Sequence, residues 1–286
     1  MSDVVLVTGA SSGVGLSVAV QAAQSGYRVY ATMRDLGKKQ ALQQAATAAN
    51  VSMELLELDV SNPMQVEQVT RQIVDDQGRI DCVVANAGVG YVRPTEHAPE
   101  SEVARIMDTN FMGVFRCVKA ALPHMRQQKS GRLIAVSSVG GLVGQPFNEI
   151  YCASKFAVEG FFESLASYMD PEFGIYFTLV EPGGIHSEFV KSILKGIEDT
   201  GGFEDDEYKP LIERYISGRS GRNLDGVMQS SDDVALVVLD CLRAKSPPVR
   251  VRTSPWSEEF SSIKTSADPD GKRLQASIHK LMLGAD

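Results

Sequence analysis

The chain has 286 residues, 43% of them hydrophobic, and a formal net charge of −8. This length and apolar content suffice to bury one large core. The acidic balance argues against nucleic acid as a partner, and no apolar run approaches the ~18 residues that a membrane span needs.

Short apolar runs alternate with segments of helical spacing along most of the chain. The predicted strands are VVLVT (4–8), YRVYATM (27–33), VSMELLELDV (51–60), DCVVANAG (81–88), RLIAVSS (132–138) and IYFTLVEPGG (175–184). The predicted helices follow GASSGVG and Asn62 and cover 38–49, 100–127 and 149–169. Such alternation is typical of a parallel, doubly wound sheet. We predict a single α/β domain over residues 1–286, Rossmann-like with three α/β/α layers.

One region breaks the alternation. Residues 186–228 are polar and contain GGFEDDEY. We predict that they form a substrate-binding insertion that covers the substrate and is naturally mobile. The EDDE run within it (204–207) is interpreted as a solvated face.

The cysteines and the N-terminus indicate the cell compartment. Four cysteines occur, without C-x-x-C spacing or a paired histidine cluster, so we predict neither zinc nor any other metal. We expect reduced, mostly buried thiols. The start, MSDVVLVTGA, enters a strand at once and lacks the basic region and cleavage site of a signal peptide. Together these features predict a cytoplasmic protein.

A glycine-rich loop, TGASSGVG (8–15), joins the first predicted strand to the first predicted helix. Its glycines follow a G-x-x-x-G-x-G spacing instead of the commoner G-x-G-x-x-G. Glycine permits a close backbone approach, and the helix N-terminus presents free N–H groups to a pyrophosphate. Such a turn alone often only reverses the chain, but the strand before it and the helix after it favour a dinucleotide site.

Two residues after the second predicted strand bear on the choice between NAD and NADP. Asp35 lies about 20 residues after Gly15, where an NAD site places its ribose-binding carboxylate. Arg34 follows the strand directly and can pair with a 2′-phosphate, to which Ser12 can add a hydroxyl. We interpret Asp35 as facing solvent or pairing with Arg34, and we favour NADP(H) over NAD(H).

Four polar residues form a candidate catalytic set. Tyr151 and Lys155, in YCASK, lie at i and i+4 of a predicted helix and therefore on one face. An ammonium there should lower the phenol pKa from ~10, which suits a general acid/base near neutrality. Ser138 ends a predicted strand, at the edge where open α/β sheets bind ligands. Asn110 lies inside the long predicted helix, where a water linking it to Lys155 would satisfy its amide.

Each of these features alone has a plainer interpretation. A lone Y-x-x-x-K is usually structural, and a serine after a strand is usually a cap or turn residue. Their occurrence in order, each at the predicted carboxyl edge of the sheet, favours an active site.

These motifs resemble the short-chain dehydrogenase/reductase family. TGASSGVG, NAG (86–88), Asn110, Ser138, YCASK and PGGIHSEF (182–189) match its pattern in order. The chain is most similar to its group of 17β-hydroxysteroid dehydrogenases type 1 and photoreceptor retinol dehydrogenases. That likeness rests on VYATMRDL (29–36), VGGLVGQPFNEIYCASKFAVEG (139–160) and DPDGKRLQASIHKLMLG (268–284), and it is weakest in 190–228.

The resemblance implies a role for each matching residue. Tyr151 would be the acid/base, Lys155 would lower its pKa and hold the nicotinamide ribose, Ser138 would orient the carbonyl and Asn110 would support the proton relay. The implied cofactor-binding residues are Gly9, Ser11, Ser12, Gly13, Val14, Gly15, Arg34, Asp59, Val60, Asn86, Ala87, Gly88, Tyr151, Lys155, Pro182, Gly183, Ile185 and Ser187. Ser187 stands where the family usually has threonine and keeps the hydroxyl.

The resemblance also implies an activity and an assembly. The expected activity is NADP(H)-dependent interconversion of an alcohol and its carbonyl on a bulky apolar substrate such as a steroid or retinoid. A broad ketone or aldehyde reductase and a catalytically silent NADPH-binding sensor are the alternatives. The expected assembly is a homodimer or homotetramer, paired through the helices corresponding to 101–126 and 150–169.

Overall fold

The architecture is a seven-stranded parallel sheet with helices on both faces, seen in a computed structural model that describes residues 2–186, 188–199, 201–220 and 227–283. The sheet strands are β1 (Val4–Val7), β2 (Arg28–Met33), β3 (Glu54–Glu57), β4 (Cys82–Ala85), β5 (Gly131–Val136), β6 (Ile175–Glu181) and β9 (Arg250–Arg252). They lie in the order β3-β2-β1-β4-β5-β6-β9, and every pair is parallel. This confirms the predicted fold class. The order reverses direction between β1 and β4, which is where such sheets bind ligands.

Alternate residues of the strands supply two separate cores. In β1, Val4 and Leu6 belong to one buried cluster, whereas Val5 and Val7 belong to the other. Because successive side chains point to opposite faces and helices cover both, the strand is apolar throughout. The same requirement explains the apolar runs that predicted the strands.

The helices follow the predicted alternation with two differences. They are α1 (Gly13–Gln24), α2 (Gln40–Ala48), α3 (Pro63–Gln77), α4 (Glu100–Met107), α5 (Gly113–Gln128), α6 (Glu149–Phe173), α9 (Ser231–Arg243), α10 (Pro255–Thr265) and α11 (Lys272–Leu283). The long helix predicted over 100–127 is divided into α4 and α5 by a π-helical turn, Asp108–Met112. The helix predicted over 149–169 continues to Phe173 and ends at Gly174, which adopts a left-handed conformation (φ +67°).

The predicted insertion is helical. It contains α7 (Glu188–Asp199) and α8 (Lys209–Ser220), and it is bounded by β7 (Gly184–His186) and β8 (Met228–Ser230), which pair in parallel. The interpretation of 204–207 as a solvated face is wrong for Asp206, whose carboxylate lies 2.9 Å from His97 Nε2. This contact joins the insertion to the loop that follows β4.

The structure also bears on the state of the cysteines and on membrane-spanning helices. Cys82, Cys117, Cys152 and Cys241 are all buried and unpaired, as expected. Among the described helices, none combines the length and apolar character required to cross a bilayer.

Candidate active site

The loop after β1 forms a cradle at the N-terminus of α1. Gly9 and Gly13 adopt left-handed conformations, with φ of +69° and +58°. A Cβ on Gly15 would lie 2.4 Å from the Gly9 carbonyl oxygen, so this position accepts only glycine. Ser12 is the N-cap of α1, but its side chain makes no capping hydrogen bond. The first amides of the helix thus lack a side-chain partner, which fits the binding of a pyrophosphate.

Asn86 and Thr8 hold this loop against the end of β4. The Asn86 amide donates to the carbonyl oxygens of Thr8 and Gly9, at 2.9 and 3.1 Å. The Thr8 hydroxyl accepts from the backbone N–H groups of Asn86 and Ala87, at 3.0 and 3.1 Å. Asn86 therefore shapes the phosphate loop. Thr8 was missed by the sequence analysis, although its place between a buried strand and Gly9 is a usable signal.

The residues expected near the adenosine lie at the ends of β2 and β3. Arg34 is exposed directly after β2. The Asp35 carboxylate accepts a hydrogen bond from the Gly37 N–H at 2.8 Å and caps a short 3-10 helix, so it does not pair with Arg34. Asp59 accepts from the backbone N–H of Ser61 at 2.9 Å, and Val60 is buried.

The catalytic candidates meet at the carboxyl edge of the sheet. The Ser138 hydroxyl caps a short 3-10 helix by accepting from the Gly140 N–H at 3.0 Å, and it lies close enough to the Tyr151 phenol to lower the phenol pKa slightly. The Lys155 ammonium donates to the Val136 carbonyl oxygen at 2.9 Å and lies 5.8 Å from the centroid of the Tyr151 ring. Strand β5 and helix α6 thus bring these three side chains together, as predicted.

The electrostatics of this group differ from the sequence-based expectation. Burial raises the pKa of Tyr151 to about 12, against a smaller opposing effect of the Ser138 hydrogen bond. Burial lowers the pKa of Lys155 to about 8, and only the charge of Glu159 opposes it. The expectation that Lys155 lowers the Tyr151 pKa is therefore wrong here. The physical reason is that both groups are withdrawn from water and the ammonium is directed at a backbone carbonyl.

Asn110 lies in the π-helical turn and is fully buried. Its amide oxygen accepts from the Val89 N–H at 2.8 Å, while its amide nitrogen donates to the Val89 carbonyl at 2.9 Å and the Ser154 hydroxyl at 3.0 Å. Protein groups therefore satisfy the amide, and the predicted water link to Lys155 is not needed for that purpose. Asn110 instead ties the loop after β4 to helix α6. Ser154 and Val89 were missed because the contacts are remote in sequence.

The segment after β6 lies against the C-terminal part of the chain. A Cβ on Gly183 would lie 2.8 Å from the Trp256 ring, so the backbone at Pro182 and Gly183 packs closely on α10. Ile185 belongs to β7 and is partly buried. Ser187, predicted to contact the nicotinamide carboxamide, lies outside the described residues.

Helices of the insertion approach Tyr151. The Phe189 ring, on α7, lies with its centroid 5.9 Å from that of Tyr151. The Tyr215 hydroxyl, on α8, accepts from the Asn148 amide at 2.9 Å, at the beginning of α6. A substrate at Tyr151 would consequently meet an apolar side chain of α7.

Comparisons with known proteins agree with this geometry. A family model described as short chain dehydrogenase matches residues 3–198. Retinol dehydrogenase 8 of Bos taurus is 40% identical over 284 residues, which cover 97% of this chain and 89% of that protein. Human 17-beta-hydroxysteroid dehydrogenase type 1 is 37% identical over 289 residues, covering 98% and 86%. A short-chain dehydrogenase from Streptomyces avermitilis superposes with a TM-score of 0.76 at 26% identity and full coverage of both chains.

Proposed function

This chain belongs to the short-chain dehydrogenase family, and from that premise we propose that it is an NADP(H)-dependent oxidoreductase. It interconverts an alcohol and its carbonyl on a bulky apolar substrate such as a steroid or retinoid. The observation that carries the proposal is the neighbouring Ser138 and Tyr151 side chains beside Lys155, at the sheet edge that also bears the glycine-rich loop. The steroid or retinoid class rests on the relatives and on the apolar Phe189 beside Tyr151.

The described residues fit a nicotinamide dinucleotide. The uncapped N-terminus of α1 and the glycine cradle suit the pyrophosphate, and Arg34 is available for a 2′-phosphate. Lys155 would hold the nicotinamide ribose, and the segment from Pro182 to Ser187 would lie along the nicotinamide. When bound, the cofactor supplies the hydride chemistry.

The chain itself supplies proton transfer and orientation. Ser138 holds the substrate oxygen, and Tyr151 donates its proton as negative charge develops there. A phenol whose pKa is about 12 stays protonated at neutral pH, which is the form that carbonyl reduction needs. Alcohol oxidation, the reverse reaction, needs the phenolate to accept the proton of the alcohol.

The proposed function predicts a loss of activity above about pH 8. The pKa of Lys155 is about 8, so its ammonium becomes neutral as pH rises through that value, whereas Tyr151 keeps its proton until about pH 12. The kcat/KM for NADPH, which reports ionisations of the free enzyme, should therefore fall along a limb near pH 8. Thermal unfolding across the same pH range controls for denaturation. A kcat/KM for NADPH that stays constant up to pH 10 would contradict the role given to the Lys155 ammonium.

Replacing Arg34 with alanine should weaken NADPH selectively. A charge-assisted contact contributes about 1.5–3 kcal/mol, so the KM for NADPH should rise roughly 10- to 100-fold. The KM for NADH should change about threefold or less, because NADH has no 2′-phosphate. Arg28→Ala is the matched control, since Arg28 is an exposed guanidinium at the other end of β2, paired with Glu54. Equal losses for the two cofactors would count against the 2′-phosphate contact.

The direct test of the proposed function is oxidation of NADPH and NADH, measured separately. The carbonyl panel contains ketosteroids, retinal and small aryl ketones, with Tyr151→Phe as the blank. Tyr151-dependent turnover of a bulky apolar carbonyl is the expected result. Turnover of small ketones alone would favour the broad carbonyl reductase. Tight NADPH binding without any turnover would favour the sensor.

Assembly and location are also part of the proposal. The π-helical turn and helices α5 and α6 carry a cluster of aromatic rings, with Phe111 and Phe115 each 5.9 Å from Phe161 between centroids. These rings are only partly buried, which suits pairing of the two helices with those of a second copy. We expect a homodimer or homotetramer by light scattering and a cytoplasmic protein by fractionation.

A further inference from the structure

Two buried carboxyl groups lie directly behind the catalytic face of α6. Glu159 is one turn beyond Lys155, and Glu181 is the last residue of β6. The two residues are 5% and 0% exposed, and each carboxyl group affects the pKa of the other, so the two groups are close neighbours. Neither group has a part in the proton transfer described above.

Only two of the four carboxyl oxygens of Glu159 and Glu181 have a donor among the described residues. The Ser137 hydroxyl donates to Glu159 Oε1, and Arg252 Nη1 lies 3.3 Å from Glu181 Oε2. The two remaining oxygens, Glu159 Oε2 and Glu181 Oε1, have no N–H or hydroxyl donor in the part of the chain that the structure describes. Ionised carboxylates only accept hydrogen bonds, so neither of these two oxygens can be satisfied by the other carboxyl group unless the pair holds a proton. A single shared proton satisfies both remaining oxygens.

The surrounding charges decide which carboxyl carries the negative charge. On α6 the pair faces Lys155 and Glu163; on β9 it faces Arg250 and Arg252. Arg252 is shared with Glu258 of α10, whose carboxylate lies 2.7 Å from its Nε.

Glu181 is therefore the member that has an arginine partner, while Glu159 has a hydroxyl donor and a carboxyl neighbour. Burial raises the pKa of both groups, and the charge of Glu181 raises that of Glu159 further. The proton consequently belongs mainly to Glu159.

Gly141 leaves room for the Glu159 carboxyl and the Ser137 hydroxyl to meet. A Cβ on Gly141 would lie 2.9 Å from both Glu159 Oε1 and the Ser137 hydroxyl oxygen. The Ser137 N–H donates to the Val180 carbonyl at 2.7 Å. The pair thereby connects α6 to the ends of β5 and β6, one residue before Ser138.

We propose that Glu159 and Glu181 share one proton at neutral pH and act as positioning residues behind the active site. The pair fixes Ser138 relative to the helix that carries Tyr151. The pKa of about 8 for Lys155 includes the opposing charge of an ionised Glu159, so a proton on Glu159 lowers the Lys155 pKa further. The positioning role rests on the proposed function, whereas the shared proton does not.

Infrared spectroscopy tests the proton directly. The wild-type protein in heavy water at neutral pH should show the carbonyl stretch of a protonated carboxylic acid. This band should disappear in both Glu159→Gln and Glu181→Gln and remain in Glu172→Gln, which removes a half-exposed carboxyl from the same helix. A wild-type spectrum without a band that these two variants remove would overturn the shared proton.

Denaturant unfolding between about pH 5 and pH 7 tests it independently. Glutamate in the unfolded chain releases its proton near pH 4.3, whereas the folded pair retains it, so stability falls as pH rises. One retained proton makes the unfolding constant of the wild type rise about tenfold per pH unit relative to Glu159→Gln. Parallel curves for the two proteins would overturn the proposal. Neither the infrared nor the unfolding experiment measures enzymatic activity, so both test the shared proton even if the proposed function is wrong.

The positioning role is tested by comparing two replacements of Glu159. Glutamine can accept from Ser137 and donate to Glu181, so Glu159→Gln should keep kcat within about threefold. Glu159→Leu can do neither, and a displaced Ser138 should lower kcat by up to about a hundredfold with little change in KM for NADPH.

A second readout concerns Lys155. In Glu181→Gln the negative charge of Glu181 is gone, so Glu159 ionises more readily. The new charge on Glu159 raises the pKa of Lys155, and the fall of kcat/KM for NADPH near pH 8 should therefore move to higher pH. Full activity in Glu159→Leu, or an unmoved limb in Glu181→Gln, would overturn the positioning role. If the leucine variant does not fold, the pH profile of Glu181→Gln still decides the test.

Discussion

Replacing Tyr151 with phenylalanine should lower kcat about a thousandfold, since general acid–base catalysis contributes roughly 10²–10⁴. The change removes only the phenol oxygen, which lies near the Ser138 hydroxyl. The ring keeps its contact with Phe189, so the site should retain its shape. The affinity for NADPH should stay close to that of the wild type. The loss should therefore lie in kcat and not in cofactor binding.

Single-turnover oxidation of NADPH, with cofactor binding measured by fluorescence, separates the two quantities. Tyr176→Phe is a matched control, because Tyr176 lies near the amino end of β6, away from the carboxyl edge that bears the site. That variant should keep full activity. Turnover that survives in Tyr151→Phe would refute the tyrosine mechanism without affecting the fold.

Much of the fold could be predicted because it follows from local patterns. Strands buried on both faces must be apolar throughout, so β1, β4 and β5 stand out as short apolar runs. The glycines of the phosphate loop, Ser138, and Tyr151 with Lys155 are similarly set by spacing. Each lies next to a strand end or on one face of a helix, and the sheet then brings them together.

What could not be predicted depends on contacts between distant residues. The π-helical turn that divides α4 from α5 contains Asn110, whose amide bonds Val89 and Ser154. The pKa of Tyr151 rises because the surrounding protein withdraws its phenol from water, which a pair of residues at i and i+4 does not reveal. The pairing of Glu159 with Glu181 joins a helix to a strand end, and neither carboxylate has a motif of its own.

Replacing Lys155 with methionine should abolish turnover and raise stability together. The ammonium is buried and its pKa is lowered to about 8, so folding withdraws a charge from water without full compensation. This cost is present below pH 8 and disappears as pH rises past the value of an unfolded lysine, about 10.4. At about 1.4 kcal/mol per pKa unit, methionine should gain roughly 1–3 kcal/mol at neutral pH. The lost bond to the Val136 carbonyl offsets about 1 kcal/mol of the effect and is included in that range.

The measurement is thermal unfolding of both proteins at pH 7 and at about pH 10.5, where the unfolded lysine is half neutral, together with kcat on the same preparations. We expect a melting temperature several degrees higher at pH 7, a smaller difference at the higher pH, and at least a hundredfold loss of kcat. Lys245→Met, which removes an exposed ammonium, should change neither quantity much. A Lys155→Met protein less stable than the wild type at pH 7 would mean that the ammonium stabilises the fold. If Lys155→Met is more stable but inactive, the lysine destabilises the fold and is present because turnover requires it.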